Sequence, residues 1–136
     1  MKFNYATSIG PNGYLHFPLV EVIFRNPKNG KEVPVLALVD SGATDTMLRA
    51  DVAELIGIDV HSGKRQEILG IAGKSDVYAH DLIFRLKADS IEIPGQVQVM
   101  EGMMAVALLG QNGLFLTYKV IFNLKSGEFE LRPFPK

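Results

Sequence analysis

Two-residue alternation of apolar and polar positions runs through most of the chain and predicts a mainly β protein. Over residues 15–25, Val20, Val22 and Phe24 fall on one face, and Glu21 and Arg25 on the other. Pro18 lacks a backbone N–H, so it predicts an edge or a bulge near the start of that strand. Residues 26–30 (Asn-Pro-Lys-Asn-Gly) have the composition of a hairpin loop. Residues 33–39 are almost continuously apolar, as expected of a strand covered on both faces. Residues 67–71 and 75–86 flank Gly70-Ile71-Ala72-Gly73, which predicts a glycine-tipped hairpin. Ile91, Ile93, Val97 and Val99 predict a further strand, broken at Pro94-Gly95. Near the end, Val120, Phe122 and Leu124 alternate with Lys119 and Asn123, residues 125–127 turn, and Phe129 and Leu131 alternate with Glu128, Glu130 and Arg132. Pro133 and Pro135 argue against a regular strand at the C-terminus. One segment carries helical spacing. Leu48, Val52, Leu55 and Ile56 share a stripe at i, i+4, i+7 and i+8, and Gly57 is placed to stop the helix.

Composition narrows the class. The chain has 136 residues, 47% apolar and 21% charged, which predicts one globular domain over residues 1–136 and excludes disorder. A domain of this size buries roughly 68% of its extended surface, so it folds without covalent staples. There is no cysteine, hence no disulfide, no thiolate zinc site and no thiol nucleophile. Fourteen basic against fifteen acidic residues leave a net charge of −1. That balance points to neither nucleic acid nor a membrane as partner. No apolar run reaches the roughly 18 residues of a membrane span, and the first ten residues lack a signal-peptide core. A cytoplasmic protein, or a fragment of a larger chain, is expected. His16, His61 and His80 are scattered, so no metal site and no cofactor is expected.

The chemistry concentrates at Asp40-Ser41-Gly42. An aspartate ending the apolar run of residues 35–39 is carried to the inner edge of a sheet, where a lone carboxylate needs a partner or hydrogen bonds. A strand that merely ends in an Asp-Ser-Gly turn is the plain alternative. Ser41 as a hydrolase nucleophile lacks the Gly-x-Ser-x-Gly elbow and a base. Three features in order favour more than a turn. Asp40-Ser41-Gly42-Ala43-Thr44 follows an apolar strand, a Gly70–Gly73 hairpin comes next, and Leu108-Leu109-Gly110 lies about seventy residues beyond Asp40. Together they resemble the retropepsin-like aspartic peptidases, over roughly residues 15 to 132 and as a relative outside the retroviruses.

That resemblance implies a small closed barrel-like acid-protease fold with one well-formed helix, a short C-terminal helical turn and a flap hairpin. It implies an aspartic endopeptidase, without cofactor or metal, that hydrolyses peptide bonds in a polypeptide substrate. The chemistry needs two neighbouring carboxylates, and only one Asp-Ser-Gly triplet occurs; Asp89-Ser90-Ile91 lacks the glycine. The second must come from another copy, so a homodimer is implied. By the same resemblance Asp40 is catalytic. Ser41, Gly42, Ala43 and Thr44 support the active-site loop, and Gly70, Ile71, Ala72, Gly73, Val106 and Leu108 contact substrate. Thr44 and Gln111 depart from the retroviral pattern, where an Asp and an Arg form a bridge. A non-catalytic dimerisation or peptide-binding module of the same fold is therefore the rival. A small β-barrel in which Asp40 only caps a turn would instead be a monomer.

Overall fold

The alternating segments do bury one face each, and the register of their pairing sets where the site lies. The computed structural model describes residues 1–70 and 73–135. The strands are β1 Lys2–Asn4, β2 Ala6–Gly10, β3 Gly13–Phe17, β4 Leu19–Arg25, β5 Glu32–Val39 and β6 Thr46–Arg49, then α1 Ala50–Leu55. After these come β7 Lys64–Gly70, β8 Gly73–Leu86, β9 Ile93–Met100, β10 Ala107–Leu109, α2 Leu114–Thr117, β11 Tyr118–Asn123 and β12 Glu128–Pro133. Seven strands form one sheet in the order β4-β5-β10-β6-β9-β8-β7, and a further β4–β8 pairing closes six of them into a ring. Closure of this kind leaves few sheet edges open to aggregation. Inside the ring lie Val22, Phe24, Leu48, Leu82, Leu86 and Leu109, joined by Val52 and Ala53 of α1. The chain thus has the mainly β, ring-like architecture expected, with its short second helix at α2.

Several expectations need correction, each because tertiary hydrogen bonding or exposure overrides local pattern. Leu48 belongs to β6, not to the helix: it pairs with Val99 and Ala107, and Arg49 after it is still extended. The helix is left with six residues, and Leu55 is 69% exposed while Ile56 is buried. Gly57 does end it, at φ +78°, its N–H donating to the Glu54 carbonyl. In β5, Val35, Ala37 and Val39 are buried but Leu36 is 56% exposed, so this strand is covered on one face only. Pro18 does not bulge a single strand; it separates β3 from β4, which lie in different sheets. Pro94-Gly95 does not break β9, because β6 joins β9 only from Val97 onward. The proline's missing N–H therefore faces an unpaired stretch of edge. At the C-terminus β12 is regular as far as Pro133, which pairs with Tyr118.

The terminal β11–β12 hairpin gains a third strand from β1, giving a small sheet in the order β1-β12-β11. Phe3 stacks on Phe129 with ring centroids 5.4 Å apart. Tyr118 is fully buried and its hydroxyl donates to Asp89 Oδ2 at 2.6 Å, tying this sheet to the loop after β8. Burial, and then the Asp89 carboxylate, push the Tyr118 phenol well above the usual tyrosine range. The Tyr118 hydroxyl, with the Ser90 N–H, holds the Asp89 carboxyl below its usual range. A depressed carboxyl stabilises the fold above its ordinary pKa and loses that contribution as pH falls towards the depressed value. Tyr118→Phe is expected to cost about 1–3 kcal/mol near neutrality. Its deficit relative to wild type should shrink below pH about 4, which urea melts across that range will measure.

Candidate active site

The site grows from the way β10 is threaded. It pairs parallel to β5 (Leu108 with Leu38, Leu109 with Val39) and antiparallel to β6 (Ala107 with Leu48, Leu108 with Met47). The loop of residues 40–45 joins β5 to β6, so it must pass over the end of β10. Four contacts lace the two together. Asp40 N–H donates to the Leu109 carbonyl at 3.0 Å, Gln111 N–H to Ala43 at 2.9 Å and Asn112 N–H to Thr44 at 2.8 Å. Asp45 and Asn112 form an isolated parallel bridge beyond them. The crossing is close enough to demand glycine. A Cβ on Gly110 would lie 2.5 Å from the Ala43 carbonyl oxygen and 2.6 Å from that of Asp45.

On this laced loop Asp40 is half-buried, Ser41, Gly42 and Thr44 are exposed, and Ala43 is half-buried. Gly42 N–H donates to Asp40 Oδ1 at 2.9 Å, and Ala43 N–H to the Asp40 carbonyl at 3.2 Å, closing a tight turn. One carboxylate oxygen is thereby oriented by the backbone. Side chains brace the turn without a charge pair. Gln111 Nε2 donates to the Ser41 carbonyl at 3.0 Å, and Asn112 Nδ2 to Asp45 Oδ1 at 3.1 Å. Thr46 Oγ1 donates to the Asn112 carbonyl at 3.2 Å. A half-buried carboxylate held this way is equipped to exchange a proton with water.

The predicted residues divide into two groups. Asp40 to Thr44 are brought against β10, where Leu108 is half-buried on the sheet face it shares with Leu38 and Met47. Val106, also half-buried, precedes β10 and accepts the Arg49 N–H through its carbonyl. Gly70 and Gly73 stand apart, as the opposed residues that end the β7–β8 pairing; Gly73 has φ +114°. Ile71 and Ala72 lie outside the described residues. Met47, Gln66 and Gln98, which line the same face as Leu108 towards β7, are not singled out by any motif. Their pairing, not their sequence, puts them there. Each histidine has a local partner: His16 Thr7, His61 Glu101 and His80 the Val60 carbonyl. Among the described residues no three His, Cys, Asp or Glu side chains gather as a metal would require. A cleft of about 370 Å³ beside Asp45, lined by Phe84, Ile93, Gln96 and Leu116, does not reach Asp40.

A closed β ring, an aspartate on a loop laced to a glycine-bearing strand end, and a β7–β8 pairing that ends at opposed glycines define a single-lobe aspartic-protease fold of the retropepsin kind. The retropepsin-like aspartic protease from Rickettsia conorii is similar with a TM-score of 0.64 and 18% identity, over 95% of this chain and 97% of that one. EIAV protease, solved in complex with the inhibitor HBY-793, is similar with a TM-score of 0.52 and 19% identity, over 70% and 82%. At such identities the likeness is one of fold. Residues 28–115 match the family described as gag-polyprotein putative aspartyl protease, and the chain belongs to that family. Comparison with curated proteins returns no match. Among the described residues no helix is long and apolar enough to cross a membrane.

The tight crossing makes a direct prediction. Gly110→Ala is expected to destabilise the fold by about 3 kcal/mol or more, because two backbone carbonyls would have to move. The midpoint of urea unfolding reports it.

Proposed function

We propose that the protein is an aspartic endopeptidase in which two copies of the chain bring their Asp40 carboxylates together and activate a water between them. The observation that carries this reading is the Asp40 carboxylate, oriented by the Gly42 N–H on a loop locked to β10. The chain offers one such motif. Two carboxylates side by side cannot both ionise, so the pair shares one proton, and one member takes a proton from water while the other protonates the leaving nitrogen. A two-fold axis beside Asp40 supplies the second carboxylate.

In this reading the exposed Ser41 hydroxyl braces the loop across the axis. Gly42 lies against the substrate backbone, and Ala43 and Thr44 shape the floor. Val106 and Leu108 wall the groove, and the segment from Gly70 to Gly73 closes over an extended polypeptide that binds as an added strand. Ile71 and Ala72, by their place in the sequence, would contact substrate at the hairpin tip. The Gln111 bond to the Ser41 carbonyl supports retention of a braced loop where the retroviral ion pair is absent. The departures at Thr44 and Gln111 also motivate a second reading, a non-catalytic peptide-binding or dimerisation module. Cleavage separates the two.

Asp40→Asn is expected to lower cleavage of an unfolded protein such as casein by at least about a hundredfold, with fold and dimer unchanged. Wild-type activity should trace a bell with an acidic-to-neutral optimum and fall per mole of chain on dilution. Equal activity in the Asn variant, or activity in a species that sediments as a monomer, rejects the shared-carboxylate mechanism.

A further inference from the structure

A row of side chains crosses the sheet from the catalytic strand towards the flap. Leu38 pairs with Leu108, Leu108 with Met47, Met47 with Gln98, and Gln98 with Ala79. Partners across a ladder point to the same face, so these five share the face of the sheet onto which Asp40 continues. At one strand spacing each, Gln98 stands about 10 Å from Leu108. The rest of the row is aliphatic or thioether. Gln98 alone is polar.

Its surroundings are unusual for an amide. In β9, Val97 and Val99 turn to the core, and alternation puts Gln98 on the opposite face with the exposed Gln96. Yet Gln98 is only 5% exposed. The small side chain of Ala79 leaves room above it, and Gln98 reaches over it to β7, where its Nε2 donates to Gln66 Oε1 at 2.8 Å. Gln98 Oε1 is buried with no hydrogen-bond partner among the described residues. Buried side-chain carbonyls are seldom left so, because an unmet one has lost its water without gaining a partner. The strand that carries its partner Gln66, β7, is one arm of the hairpin that closes over the substrate in the reading above.

We propose that the Gln66–Gln98 pair is a specificity subsite that takes a carboxamide side chain, Gln or Asn, from the substrate. This rests on the peptidase reading of the same groove. A substrate amide donates its N–H to Gln98 Oε1 and accepts the remaining Nε2 hydrogen of Gln98, so both groups are satisfied at once. The match is unchanged if both amides are turned over, because a carboxamide offers a donor and an acceptor side by side. A lysine or arginine finds no carboxylate in the row to offset the loss of its hydration. An aliphatic side chain leaves the carbonyl unmet.

The test uses binding, so it does not depend on turnover. In an Asp40→Asn background, affinities are measured for a set of extended peptides in which Gln at each position in turn is replaced by Met, a side chain of similar shape. At one or more positions the Gln peptide should bind about tenfold tighter. Gln98→Leu should abolish that preference at those positions and leave the others unchanged. The free variant should melt close to its parent, since loss of the Nε2 bond to the half-buried Gln66 is offset by removal of the unmet Oε1. A Gln98→Leu variant that melts lower and binds every peptide proportionately less makes the amide a structural tie and overturns the subsite, as does an unchanged peptide profile. Binding with the amide preference but no cleavage by wild type keeps the subsite and rejects only the peptidase reading. Absence of binding by every peptide rejects both.

Discussion

Everything at the candidate site depends on one backbone crossing. The loop from Asp40 to Asp45 has to span from β5 to β6 over the end of β10, and it does so at van der Waals limit, with carbonyls 2.5 and 2.6 Å from where a Gly110 Cβ would be. Three backbone hydrogen bonds and the Asp45–Asn112 bridge then hold it down. A carboxylate on an ordinary loop would sample many orientations. Here the Asp40 side chain is set by a Gly42 N–H whose own position is fixed by that lacing. Preorganisation of this kind holds a single side chain in a reproducible geometry.

Around that crossing the bracing side chains are amides, Gln111 standing where the retroviral pattern has the Arg of an ion pair. Gln111 bonds the Ser41 carbonyl, Asn112 bonds Asp45, and Gln98 bonds Gln66 further along the same face. An exposed ion pair and a neutral hydrogen bond each contribute on the order of 1 kcal/mol or less, so the exchange costs little in stability. Neutral amides read hydrogen-bond patterns, whereas a charge reads charge.

Away from the site, the ring and the terminal sheet are held by different means. The ring closes through β4–β8, with Phe24 and Phe84 in contact across that pairing at 5.5 Å. The terminal sheet is joined to the rest by the buried Tyr118–Asp89 bond. Among the described residues the β2–β3 hairpin pairs only with itself, and Ile9 and Tyr14 on it are exposed. An isolated two-stranded hairpin gains little from burial, so it adds little to the stability of the whole.

The amino-acid order alone determined whatever depends on neighbours in the chain. The inward faces of β4 and β12, the stop at Gly57, the glycine-ended β7–β8 pairing and the Asp40-Ser41-Gly42 motif were all legible, because a period of two, a left-handed glycine and a loop triplet are local properties. Helix length, the open face of β5 and the continuity of β9 through Pro94 were not. Each is decided by which strand lies alongside: Leu48 by Val99 and Ala107, Leu36 by the lack of any cover, Pro94 by the late start of β6. The same holds for the site. The motif named Asp40, and Gly110 was legible as part of Leu108-Leu109-Gly110, but its need to be glycine comes from two carbonyls far away in sequence. Gln98 and Gln66 belong to no motif, and only the fold, by setting β9 and β7 on either side of β8, joins the two amides, buries Gln98 and leaves its oxygen unmet among the described residues.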